Sequence, residues 1–354
     1  MNKVTFSEVF SVLRFPLSVF IVIFHLFPTQ DVGMSSWGII IYSYIRTFLF
    51  WCLSDGVVKV FFIMSGFLML RKIEVMNKEN YFLILKKRWL SLALPYLVWN
   101  ILFLLKHNWS VLQEQGLNIF WNCFWTPSSV PDLLENDVVS SFLLLAPFWY
   151  IRDLIVLTIM IPVLFQLLKK AGLPLLLVIG MLYLTRVWIP GISHTYVTSL
   201  LFFSLGGYFA IKKRDVVLFC YKYKAFLVTT GILLLVVTTI LKVNNLESAY
   251  IWMSNMSGTF AAALFFIGGA YVLRCKNVNS FCVKYGHDAF FIYAFHWFIL
   301  SYVQPVFNLW GQNSLIVLAK DVLMPFCCVL ICILVHRLIL KILPSKFYKL
   351  LGDR

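Results

Sequence analysis

Long apolar runs alternate along this chain with short polar connections. The runs fall near 9–28, 47–70, 89–106, 142–168, 173–189, 197–211, 225–242, 250–273, 288–306 and 317–340. A helix needs about 20 apolar residues to cross a bilayer. The pattern therefore predicts an all-α integral membrane protein with about ten transmembrane helices. The longest hydrophilic connection lies near 107–140. No composition shift or low-complexity linker divides the chain. Residues 1–354 are expected to form one multi-span membrane domain with no appended soluble domain.

Composition agrees with the pattern. The chain is 61% hydrophobic and only 13% charged, with a mean hydropathy of +0.86. A soluble domain is nearer half apolar and a quarter charged. The net charge of +15 would point to nucleic acid in a soluble protein. Here the placement of the charges removes that reading. Arg71, Lys72, Lys78 and Lys86–Arg88 fall in one set of loops, with Lys169, Lys170, Lys212–Arg214, Lys222 and Lys224. Arg274, Lys276, Lys284 and the basic tail belong to the same set. The alternate loops, near 29–45, 107–140, 190–196, 243–249 and 307–316, contain no Lys or Arg. Cytoplasmic loops carry the excess of basic residues, so both termini are expected in the cytoplasm. The start does not read as a cleaved signal, because Glu8 follows Lys3 and no small-residue cleavage site appears. The eight cysteines form no CxxC pair, and no metal site is expected.

The first helix carries the most informative polar residues. "RFPLSVFIVIFH" runs from Arg14 to His25 with no charge between its ends. At about 100° and 1.5 Å per residue, the two end side chains share a face and stand roughly 16 Å apart. Ser7, Ser11 and Ser18 fall on the same face, within an arc of about 60°. Lipid cannot solvate such a stripe, so it must face protein or water. Two readings follow. In one the stripe is structural, with Arg14 paired to a carboxylate and His25 capping a backbone group. In the other it lines a path, with an anion clamp at Arg14 and an acid/base group at His25.

Arg14 and His25 also match the R-x10-H motif of the integral-membrane acyltransferase 3 family, and further segments follow in that family's order. "FFIMSGFL" (Phe61 to Leu68) resembles its FFxxSGFL, and "KKRWLSLALPYLVW" (Lys86 to Trp99) resembles its basic stretch before a Pro-Tyr. "PFWYIRDL" (Pro147 to Leu154) is similar to its P-x-W-[FY]-x-R-D-L, and "FFIYAFHWFIL" (Phe290 to Leu300) to its late I-Y-x-x-H segment. The resemblance covers essentially the whole chain. It implies a bacterial inner-membrane O-acyltransferase, moving an acyl group, usually acetyl from acetyl-CoA, to a hydroxyl of a surface glycan or its lipid-linked precursor. It carries over Arg14 and His25 as the essential pair. Lys59 and Ser91 depart from the family pattern, and both departures bear on the donor side.

On this reading Arg14 at the inner mouth holds CoA phosphates, assisted electrostatically by Lys86, Lys87 and Arg88. The interval to His25 is comparable to a pantetheine arm, and His25 deprotonates the acceptor hydroxyl. Direct transfer and a transient acyl-enzyme both stay open. Ser65 and Gly66 either bring backbone close to the arm or serve as small helix contacts. Arg152 and Asp153 either pair at the outer mouth or form a structural ion pair. His296 either assists His25 or only hydrogen-bonds. Trp149 either stacks on sugar or belongs to an interfacial aromatic belt. Arg186 and Lys320 either attract an anionic glycan-lipid or snorkel. His194 and His287 read as loop residues without a role. The expected partners are membrane lipid and a glycan acceptor, with no nucleic acid. The alternative is a transporter or flippase for a glycan-lipid or small solute, although no internal repeat supports it.

Overall fold

The computed structural model describes residues 5–26, 36–107, 145–187, 194–309, 314–344, 348 and 351–352, with isolated positions between 109 and 118. Among these residues every regular element is helical. In chain order they are α1 (Phe6–Phe24), α2 (Ser36–Arg46), α3 (Asp55–Leu70), α4 (Lys78–Arg88), α5 (Leu94–His107) and α6 (Trp149–Ile159). There follow α7 (Ile161–Thr185), α8 (His194–Ile211), α9 (Val216–Lys222), α10 (Lys224–Val243), α11 (Glu247–Val272), α12 (Lys276–Tyr285), α13 (Ala289–Asn308) and α14 (Ser314–Ile342). A helix satisfies its own backbone groups, as a bilayer demands.

Eight stretches of the described residues are helical, long and apolar enough to cross a membrane. The difference from ten has two local causes. The runs predicted near 142–168 and 173–189 contribute one candidate, Ile161–Thr185, which spans non-helical backbone at Ala171 (φ −136°, ψ 40°). The run predicted near 197–211 is α8, whose 18 residues include His194, four Thr or Ser before Leu205 and a Gly pair.

Local chemistry sets the helix ends and bends. Thr5 and Glu8 form a reciprocal capping box at the start of α1. Wide π-type turns join α2 to α3 over Thr47–Leu53 and α4 to α5 over Trp89–Ala93. The second sits just before Pro95, which lacks the N–H that would bond the Ser91 carbonyl.

Contacts among the loops bear on the charge alternation. Arg71 donates to Ser7, Lys213 pairs with Glu74, the Phe6 amide donates to Asp215, and Arg274 donates to Tyr221. These basic connections therefore meet on one face of the bundle, the basic face. On the opposite face Arg46 donates to the Leu26 carbonyl, Asn244 to Tyr44, and Lys242 pairs with Glu247.

α3 lies at the centre, buried along most of its length between α8 and α11. Small residues permit the close approach. A Cβ added at Gly66 would strike the Phe203 carbonyl of α8, and one added at Gly206 would strike the Ile63 carbonyl of α3. Gly56 meets Ala261 and Ala262 of α11 in the same way. Gly66→Ala is expected to destabilise the fold by about 1–3 kcal/mol, as overpacking does. Thermal unfolding in detergent checks this; unchanged stability with a weakened acyl donor would return Gly66 to the arm-contact reading.

Candidate functional site

α1 packs across α11, α12 and α13. Along its polar stripe Ser18 is buried, Ser11, Arg14 and His25 are half-buried, and Ser7 is exposed. The serines are satisfied locally: Ser11 donates to the Glu8 carbonyl, Ser18 to the Phe15 carbonyl, and Ser7 accepts from Arg71. Arg14 is half-buried, with its guanidinium 4.3 Å from the centre of the Phe10 ring. His25 caps α1, and its Nδ1 lies 2.8 Å from the Ile21 carbonyl. A carbonyl can only accept, so Nδ1 carries the proton and Nε2 presents a lone pair.

The helix end carrying His25 is pinned. Arg46 donates to the Leu26 carbonyl at 3.1 Å and stands 3.5 Å from the buried Asp321, which also accepts from Tyr42 at 2.7 Å. This support from α2 and α14 was not anticipated. Its only trace in the sequence is the pair of charges, Arg46 and Asp321, near the ends of apolar runs.

α13 brings His296 beside His25, with ring centroids 5.1 Å apart. His296 is fully buried, and its Nδ1 lies 2.8 Å from the Tyr293 carbonyl and 3.1 Å from that of Ile292. The same logic makes Nδ1 the donor. Its Nε2 has no hydrogen-bond partner among the described residues. Buried polar atoms are nearly always paired, so this acceptor calls for a donor such as a hydroxyl. Trp297 stands edge-on to His25, 5.4 Å away at 90°. Tyr293 donates to the Pro147 carbonyl at 2.5 Å and stacks on Phe148, 5.5 Å away and within 1° of parallel. The Pro147–Leu154 segment and the Tyr293–His296 segment are thus one assembly.

On the basic face a cavity of about 570 Å³ opens between the end of α3, α4 and Gly352. Lys72, Lys87, Arg88 and Ser91 line it beside Leu68 and Met69. Lys86 is exposed on α4 and does not line it, and neither does Arg14. Lys72 was not anticipated, although its place in the Arg71–Lys72 pair was a signal. Ser65 Oγ lies 3.0 Å from the Tyr150 hydroxyl, while Gly66 is taken up by packing against α8.

On the opposite face a cavity of about 210 Å³ holds Trp149, Lys59 and Arg186, together with His194. Lys59, whose departure was expected to bear on the donor side, lies here, 2.5 Å from Asp55 one turn away. His194, expected to be idle, stacks on Tyr183 at 5.3 Å. Arg152 and Asp153 do not line this mouth. They close on each other in the core, with Nη2 to Oδ1 at 3.0 Å, and the guanidinium lies 4.7 Å from the Tyr196 ring centre. Their placement in the core, away from either mouth, favours the structural alternative, and Asp153 Oδ2 has no hydrogen-bond partner among the described residues.

The helical architecture, with eight candidate spans among the described residues, defines a multi-pass membrane protein. A family model described as an acyltransferase domain matches residues 9–337, nearly the whole chain. The chain belongs to the acyltransferase 3 family, and it is a membrane acyltransferase. No curated protein and no solved structure matches it.

Proposed function

We propose that this chain transfers an acyl group, acetyl from acetyl-CoA, to a hydroxyl of a surface glycan or its lipid-linked precursor. The basic face is taken as cytoplasmic by the positive-inside rule, in a bacterial inner membrane. The observation that carries the reading is the His25–His296 pair: two imidazoles 5.1 Å apart, each with Nδ1–H spent on its own helix and Nε2 left as a base.

CoA is a polyanion, and Lys72, Lys87 and Arg88 make its phosphates welcome in the basic cavity. Arg14 on α1 stands between that face and His25 and adds positive charge along the path of the arm. At the far end His25 Nε2 takes the proton of the acceptor hydroxyl. The oxygen attacks the thioester carbonyl carbon, an ester C–O bond forms and the C–S bond breaks. The thiolate leaves with the proton from the His25 imidazolium, so the histidine is restored. His296 Nε2 accepts a second hydroxyl of the acceptor and orients it. Trp149 and Tyr150 are held beside this assembly by contacts with Phe62.

The test incubates membranes containing the protein with labelled acetyl-CoA and a glycan-lipid acceptor. Label in the acceptor and free CoA in equal amounts are expected. Solute flux without acceptor labelling by any acyl-CoA would contradict the proposal and favour transport.

A further inference from the structure

The cavity opposite the basic face is built around charges that the acyl-transfer chemistry does not use. Lys59 is only 3% exposed, and its ammonium is paired with Asp55 on the cavity wall. Arg186 reaches the same cavity from the end of α7, where its Nη2 donates to the Asn255 side-chain oxygen at 3.0 Å. That contact is to a neutral amide, and no carboxylate pairs with Arg186 among the described residues. Arg186 also has left-handed backbone (φ 48°, ψ 34°), a conformation that arginine seldom adopts. Such outliers persist where the surroundings hold them. Here Asn255 is itself tied to α7 by donating to the Tyr183 carbonyl, at 2.8 Å.

The lining thus sets two cations, Lys59 and Arg186, against one carboxylate, Asp55. Trp51 and Trp149 supply aromatic faces, and Phe24 connects the cavity to the reacting end of α1. Phe24 contacts Trp51 at 5.8 Å and is next to His25 in the chain. At about 210 Å³ the space is smaller than the roughly 300–1,000 Å³ of a drug-sized site. It suits one ring.

We infer that this cavity is the acceptor subsite and selects a hydroxylated ring carrying one negative charge, with Arg186 as the specificity-determining residue. The inference rests on the acyl-transfer reading and narrows it. The ring stacks on tryptophan. The anion lies at Arg186, whose fork has one arm on Asn255 and donors remaining for a carboxylate. Lys59 offsets Asp55, so the carboxylate does not repel the incoming charge.

Binding measured without any acyl donor tests this. Methyl glucuronide and methyl glucoside are titrated against the full-length protein in nanodiscs, read by saturation-transfer NMR. The anion is expected to bind roughly tenfold more tightly than its neutral twin, about 1.4 kcal/mol. Arg186→Gln should remove that preference while leaving the glucoside unchanged, and Arg186→Lys should keep most of it. Arg186 itself is exposed but bonds the buried Asn255 side chain, so unchanged thermal unfolding of both variants is the control that the site stays folded. Equal binding of the two sugars would overturn the inference, as would a preference that Arg186→Gln leaves intact. A preference confirmed here with no acylation of any sugar would instead count against the acyl-transfer reading.

Discussion

His25→Ala is expected to lower acyl transfer by about 10²–10⁴-fold, the usual contribution of a positioned general base. The affinity for acyl-CoA should stay within about twofold, because His25 is remote from the lysines and arginine of the basic cavity. A loss confined to turnover, with donor binding kept, is the signature of a group used only at the transition state. The variant should fold. His25 ends its helix half-buried, and the Arg46 bond to the Leu26 carbonyl does not depend on its side chain. Stopped turnover with acyl-CoA binding lost as well would place the histidine in donor binding instead. Steady-state kinetics with a direct binding measurement separates the two.

Replacing Lys87 and Arg88 together by Gln should act on the other axis. Both line the basic cavity on α4, a helix with no buried residues, so stability should be untouched. Charge-assisted hydrogen bonds contribute about 1.5–3 kcal/mol each where water is partly excluded. Discounted for the openness of this face, the pair should raise the KM for acyl-CoA at least tenfold. Turnover at saturating donor should change little, and raised salt should shrink the difference. Lys86→Gln is the internal control: it sits on the same helix but outside the cavity and should have less effect. Equal effects from Lys86 and from the Lys87/Arg88 pair would mean that general surface charge, not the cavity, attracts the donor.

The elements of this account were legible in the sequence to different degrees. Helical class followed from run length, and period alone put Arg14, Ser18 and His25 on one stripe of α1. That His296 meets His25 did not, because period places a residue on a face but does not say which helix packs there. Gly66 shows the opposite difficulty. A small residue beside a motif serine admits a ligand or a neighbouring helix equally well, and only the Phe203 carbonyl across the contact decides for the helix. Arg152 and Asp153 lay in a motif and were charged, yet adjacent charges can pair with each other, as these do. Lys59 had its partner in view, since Asp55 precedes it by one turn. What could not be read was the face of the bundle on which that pair opens. The Ala171 break was legible, since it falls between the runs predicted at 142–168 and 173–189, beside the basic pair Lys169–Lys170 and the Gly172 and Pro174 that disturb a helix.

The central claim is that an acyl group leaves a donor at the basic face and arrives on a hydroxyl at the opposite face by way of His25. Sealed proteoliposomes test it most directly, with one orientation selected, labelled acetyl-CoA supplied only at the basic face, and the acceptor enclosed on the other side. Label should accumulate in the enclosed acceptor with the wild-type chain and fall to background with His25→Ala. Labelling that persists in His25→Ala, or that requires donor and acceptor on the same side, would contradict the account.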